Sequence, residues 1–143
     1  SETKSIKPPK IRTPSNLRLA ITLLVQQPTL ALELNEALTI IEIPGFVFLM
    51  ELIDAIRQHA ITTTGALMEH WRDRKEEKLL AKFANVEHMI PEAGIQNEFL
   101  GAIKSLKMQA YKVKIDKLLT KAAIQGLSAE EKLYLNDLIQ KQK

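Results

Sequence analysis

Residues 91–131 read PEAGIQNEFLGAIKSLKMQAYKVKIDKLLTKAAIQGLSAEE, and this stretch decides the fold. Pro91 precedes a predicted helix over roughly 92–124, the longest element of the chain. Gly126 suits the left-handed stop that ends it. Ser128 and Glu131 have the spacing of a capping box and start a last helix over 129–141. At 100° per residue, Ile95, Phe99, Ala102, Ile103, Leu106, Ala110 and Val113 share one face of the long helix. Leu100, Tyr111, Ile115, Leu118, Leu119 and Ala122 share another, rotated by roughly 150°. One straight helix cannot turn both faces to one core. Its first half therefore packs on a main bundle. Its second half faces the last helix, which a short turn lays alongside it. The expected architecture is all-α: a helical bundle over 13–109 and a C-terminal helical hairpin over 110–143, joined through the long helix. The hairpin buries little area and is expected to be the more mobile part.

Upstream, residues 1–12 hold Pro8-Pro9 and four basic side chains without periodic apolar positions, the pattern of a linker or tail. Thr13 can cap a helix with Pro14 at its first position, running to about Gln27. Pro28 starts a segment over 29–42 that reads as one or two short helices with a loop. Pro44 opens a helix to about Ala60. Thr62, Thr63 and Thr64 offer caps for a helix over 65–72, and the charged stretch Arg72 to Lys78 leads into one ending near Asn85. No strict apolar alternation is flanked by hairpin turns, and no internal repeat recurs at a fixed period.

Composition narrows the function. The chain has 143 residues, 45% hydrophobic and 26% charged, as expected for one folded domain rather than a disordered chain. It has no cysteine, which removes disulfides, thiolate zinc sites and a cysteine nucleophile, and fits a reducing cytosol. No apolar run approaches the length of a membrane span. The chain begins Ser-Glu-Thr-Lys and is expected to be a fragment of something longer. Basic residues concentrate at the ends. Residues 13–100 carry seven basic and twelve acidic side chains, whereas residues 101–143 carry nine and four. A nucleic-acid face along the whole chain is therefore not visible.

Catalytic constellations are missing. His59, His70 and His88 lack metal-ligand spacing and read as ordinary surface or half-buried histidines, so neither metal nor cofactor is expected. Glu76-Glu77 and Glu130-Glu131 fit solvated helix surface better than acid–base chemistry. There is no glycine-rich phosphate loop and no nucleophile elbow. Arg18 stands out, because it is the only basic residue between Thr13 and Ile56. It lies in the first turns of a helix that is apolar nearly all round, with a polar stripe through Ser15, Arg18, Thr22 and Gln26. Two readings are open: a salt bridge to Glu33, Glu36, Glu42, Glu51 or Asp54, or a cation holding a carboxylate beside an apolar pocket near Leu17 and Ile21. On the last helix, Leu127, Tyr134, Leu135, Leu138 and Ile139 cluster, while Leu133 points the other way in line with Asp137 and Gln140. Leu133 is either a partner's anchor or a stray surface leucine. Trp71 and Tyr111 read as core aromatics.

Four motifs in order, Leu23-Leu24-Val25-Gln26-Gln27-Pro28, Ile43-Pro44-Gly45, Thr63-Thr64-Gly65-Ala66-Leu67-Met68-Glu69-His70-Trp71-Arg72 and Gly126-Leu127-Ser128-Ala129-Glu130-Glu131, resemble the C-terminal domain of bacterial DNA primase (DnaG) over residues 13–143. The resemblance implies a non-catalytic recruitment module of a primer-synthesising nucleotidyltransferase. Its hairpin would dock on the hexameric, DnaB-type replicative helicase. Its bundle would bind the acidic, phenylalanine-ended tail of single-stranded DNA-binding protein. By the same resemblance the tail site falls on Arg18, with Asn16, Leu17 and Ile21 around it and Phe48 as a candidate wall. A family lysine position falls on Thr13, with Lys10 and Arg12 adjacent. The helicase-facing surface falls on Gln140, Lys141 and Lys143, beside Leu133 and Asp137. A monomer in the cytoplasmic replisome is implied, with nucleic acid touched at most weakly. Two alternatives stay open: the N-terminal domain of the helicase itself, and a nucleic-acid-binding domain using the lysines of 101–121.

Overall fold

The computed structural model describes residues 15–34 and 43–143. The segment 1–12, the Thr13-Pro14 helix start and residues 35–42 lie outside the described residues, and with them the candidates Lys10, Arg12 and Thr13. Among the described residues there are six α-helices, two short 3-10 segments and no strand. The helices are α1 (Ser15–Gln26), α2 (Phe46–His59), α3 (Thr64–His70), α4 (Glu77–Ala84), α5 (Ile95–Ile124) and α6 (Ala129–Gln142). The 3-10 segments are Pro28–Glu33 and Glu92–Gly94.

Local chemistry sets most boundaries. Gly45, at φ 86°, is the N-cap of α2, so Pro44 stands before the cap rather than in the first helical turn. Ala60 ends α2 in the left-handed region with its N–H on the Ile56 carbonyl. Of the three threonines, Thr63 caps α3: its Oγ1 accepts from the Ala66 N–H at 3.1 Å. Gly126 takes φ 82° after α5. The capping box at α6 is complete, with Glu131 N–H on Ser128 Oγ at 3.1 Å and Ser128 N–H on Glu131 Oε1 at 2.9 Å.

The bundle is built around α1. Leu17, Ala20, Ile21, Leu23, Leu24 and Val25 are all buried, and α1 packs on α5, α4, α2, α3 and the first 3-10 segment. A helix apolar on nearly every side has this role in a globular protein. Phe46, Leu49, Leu52 and Ile56 of α2, Leu67, Trp71 and Leu80 complete the core with Ile95, Phe99, Ala102, Ile103, Leu106 and Ala110 of α5. Side chains tie the segments that flank α1. Arg57 donates to the carbonyls of Ala31 at 3.2 Å and Leu34 at 2.5 Å, and the Thr64 hydroxyl donates to the Val25 carbonyl at 2.8 Å.

The two faces of α5 serve different neighbours, with two adjustments to the sequence expectation. Val113 is 37% exposed, because the bundle stops at Ala110 and nothing covers the next turn of that face. Leu100 is half-buried against the main core, since it borders Phe99 and Ile103 on the bundle stripe. Beyond Ala110 the buried apolar side chains are Ile115 and Leu138, which lie outside the main cluster and belong to the α5–α6 hairpin. Trp71 is buried as expected, whereas Tyr111 is only half-buried at the junction.

Gly45 shows how tightly the start of α2 is held. A Cβ there would lie 3.0 Å from Leu17 Cδ2, in a left-handed backbone that L side chains adopt at a cost. Gly45→Ala is expected to lower stability by about 1–2 kcal/mol from the backbone alone, read as a lower midpoint in thermal or denaturant unfolding.

Candidate functional site

A groove of ≈ 280 Å³ opens between α1, the start of α2 and α4. Arg18 and Ile21 contribute from α1, and Gly45 and Phe48 from the Pro44-Gly45 corner. Leu79, Lys82 and Phe83 contribute from α4, with Glu76 at its N-cap and Val86 beyond its end. Each element is there for a physical reason. α1 must be buried, so its one exposed position in this region, Arg18, sits where two neighbours diverge. Gly45 lines the corner with its backbone, and the Cβ it lacks would meet Leu17 beneath. The short helix α4 turns Leu80 into the core and leaves Leu79 43% exposed toward the groove.

Arg18 is solvent-exposed, and among the described residues it makes no ion pair. Glu33, Glu51 and Asp54 do not take it, while Glu36 and Glu42 lie outside the described residues. Of the other bundle candidates, Ile21 and Phe48 line the groove with Arg18. Leu17 is fully buried and supports the corner from beneath, and half-buried Asn16 is not part of the lining. The reading of residues alone missed Glu76, Leu79, Lys82, Phe83 and Val86, which are 58–68 positions from Arg18. The only signal for them was an exposed leucine beside a buried one on a short amphipathic helix. Such a groove joins an apolar slot to a cation at its edge, with Lys82 as a second cation and Glu76 as an opposing charge.

The other candidates lie apart from the groove. The His59 and His70 rings meet in a tilted contact with centroids 4.7 Å apart, and the Arg74 guanidinium lies 5.1 Å over Trp71. Desolvation, and then the nearby His59 and Arg74, push His70 below its ordinary value. Among the described residues no three His, Asp or Glu side chains group to hold a metal ion, and no helix is long and apolar enough to cross a membrane.

On the hairpin, Leu133 is 72% exposed. Asp137 and Lys141 form an ion pair at 3.2 Å on the same outer side, and Gln140 and Lys143 are exposed. The lysines of α5 do not make one uniform face: Lys104, Lys112 and Lys117 are exposed, Lys107 and Lys114 are half-buried, and Lys121 is bound to Glu131.

The chain as a whole has known relatives. The profile of the family described as DNA primase DnaG DnaB-binding matches residues 17–138. The chain belongs to this family. It is 33% identical to a DNA primase of Pasteurella multocida over 97% of its own length and 24% of the relative's. It is 32% identical to the DNA primase of Haemophilus influenzae over 86% and 21%. The chain thus spans about a quarter of the curated relatives it matches. The C-terminal domain of DnaG primase from Vibrio cholerae superposes with TM-score 0.75 at 35% identity, covering 90% of this chain and 98% of that one. The match is to the primase's C-terminal DnaB-binding domain and not to its catalytic domain. That removes the reading of the chain as a domain of the helicase.

The start of α6 has a titratable lock. The hydrogen bond from Lys121, then that from the Ser128 backbone, hold the Glu131 carboxyl below its ordinary value. A carboxylate depressed in the folded state adds stability above its unfolded value and loses it as pH falls through the folded one. Protection of the α6 amides, taken relative to their intrinsic exchange rates at each pH, is therefore expected to fall below about pH 4.5, the ordinary carboxyl value, with the bundle less affected. Glu131→Gln should flatten that pH dependence.

Proposed function

We propose that this domain recruits primer synthesis to the replication fork through two separate surfaces, as a monomer in the bacterial cytoplasm. The hairpin, residues 110–143, docks on the hexameric replicative helicase. The bundle groove binds the acidic, phenylalanine-ended tail of single-stranded DNA-binding protein. Nucleic acid is met through these partners rather than by a continuous basic face. The observation that carries the tail reading is the groove itself: an exposed arginine without an ion-pair partner among the described residues, at the edge of an apolar slot.

The chemistry of such a tail fits the groove group by group. A terminal carboxylate needs a fixed cation, and the planar guanidinium of Arg18 can donate two parallel hydrogen bonds to it. A terminal phenyl ring needs an apolar slot, which Ile21, Phe48, Leu79 and Phe83 provide. Acidic residues upstream need a positive field, supplied by Lys82 and by Lys10 and Arg12 of the basic segment. Glu76 at the rim repels acids that approach in another register.

Arg18→Ala is expected to weaken binding of a synthetic acidic peptide ending in Phe by about 1.5 kcal/mol, the low end for a charge-assisted pair because Arg18 is exposed. Calorimetry reads it, and the wild type should lose affinity with salt more steeply than the variant. Equal affinities would return Arg18 to an ordinary surface charge.

The hairpin's outer side is the surface proposed for the helicase, with Leu133 as its apolar anchor and Asp137, Gln140, Lys141 and Lys143 as the polar surround. An apolar side chain exposed amid polar groups is the kind of residue on which interface energy concentrates. Leu133→Asp and Gln140→Ala should each weaken helicase binding by on the order of 1–3 kcal/mol without loss of helicity. Tail-peptide affinity should not change. Wild-type helicase affinity in both variants would make that face plain solvent-exposed surface.

A further inference from the structure

The motif Leu23-Leu24-Val25-Gln26-Gln27-Pro28 has a part that neither surface uses: the side chain of Gln26, at the last position of α1. Its Nε2 donates to the carbonyls of Phe83 at 3.1 Å and Val86 at 2.8 Å. Its Oε1 lies 3.2 Å from His88 Nε2. The other ring nitrogen settles the roles. The Ile90 N–H donates to His88 Nδ1 at 3.2 Å, so Nδ1 carries no proton and Nε2–H is the donor to Gln26. Two carbonyls require the NH₂ and one imidazole N–H requires the oxygen, so the amide has a single satisfied orientation. From behind, the Thr64 hydroxyl donates to the Val25 and Gln26 carbonyls at 2.8 and 3.2 Å, fixing the end of α1 from which Gln26 reaches.

Phe83 and Val86, whose carbonyls Gln26 holds, are also two of the apolar groups that line the groove beside Arg18. Residues 85–90 carry no regular secondary structure, and the one backbone tie of Val86 to α4 is its N–H on the Phe83 carbonyl at 3.3 Å. Gln26 lies two helical turns beyond Arg18 on the same polar stripe of α1, so one helix carries both the cation and the clasp.

We propose that Gln26 is a positioning residue that sets the width of the groove, and so selects an aromatic over a small terminal side chain in the acidic peptide bound there. This rests on the tail-binding reading of the groove. Arg18 acts on the terminal carboxylate, which every peptide has. Gln26 acts through the wall against which the last side chain packs.

The two contributions separate experimentally in the full 143-residue chain. Gln26→Met keeps the length of the side chain and removes its amide. Affinity is measured by calorimetry with two synthetic acidic peptides identical except for the last residue, Phe or Ala. The variant should lose about five- to tenfold toward the Phe-ended peptide, part of the burial of one phenyl ring, and less than about twofold toward the Ala-ended one. Arg18→Ala should weaken both by a similar factor. His88→Ala, which removes the donor that orients the amide together with the Nδ1 acceptor of the Ile90 N–H, should lower the Phe-over-Ala preference in the same sense by about two- to threefold, and decides the matter if Gln26→Met does not fold. Equal losses toward both peptides, or an undiminished preference in these variants, would overturn the inference while Arg18-dependent binding leaves the groove reading standing. A wild-type chain that binds neither peptide would overturn both.

Discussion

The burial of α1 on almost every side is the constraint from which the rest of the bundle follows. A twelve-residue helix of this composition cannot be left at a surface, and α2, α3, α4 and α5 all turn apolar side chains toward it. Its few polar positions then have to be placed where the neighbours part. Arg18 emerges at the edge of a groove, and Gln26 finds backbone carbonyls and an imidazole at the far end of the same stripe. The groove is thus not an accident of loops. It is the gap that remains when helices of unequal length close around a central one whose Arg18 must stay accessible, even though Thr22 of the same stripe is buried.

The hairpin follows the opposite rule. It holds itself together with Ile115 and Leu138, the capping box and the Lys121–Glu131 pair, and its outer face carries an apolar side chain among charges. So small a buried area gives modest local stability, of the kind found in elements that open or reorient before the rest of a domain does. The link to the bundle is α5 itself, a continuous helix whose stripe changes direction between Ala110 and Ile115. A partner that grips the hairpin therefore pulls on the bundle through a rod rather than through a flexible linker. The groove and the hairpin surface remain chemically independent because different side chains of different elements make them.

How much of this was legible in the sequence differs by element. Helix existence and most boundaries could be read, because they depend on neighbours three or four residues apart: the αL stop at Gly126, the Ser128–Glu131 box, the Thr63 cap and the two stripes of α5. Where the reading slipped, at Val113 and Leu100, the stripe was right but its covered length depends on where the facing helices stop. Family membership was legible for the same reason, since motif order survives at about one-third identity.

The groove was legible only on one side. Arg18, Ile21 and Phe48 drew notice through a lone cation, a helical stripe and a resemblance. Nothing in the local sequence marks Lys82, Phe83 or Val86 as their neighbours. By itself the sequence determined an all-helical chain with a buried first helix, a long helix shared by two packings and a capped hairpin, because propensity, capping and periodicity act over a few residues. Only the tertiary structure decided which helix closes over Arg18 and which carbonyls Gln26 holds. Those contacts join residues about sixty positions apart, and they exist only once the packing of α1 has brought α4 alongside it.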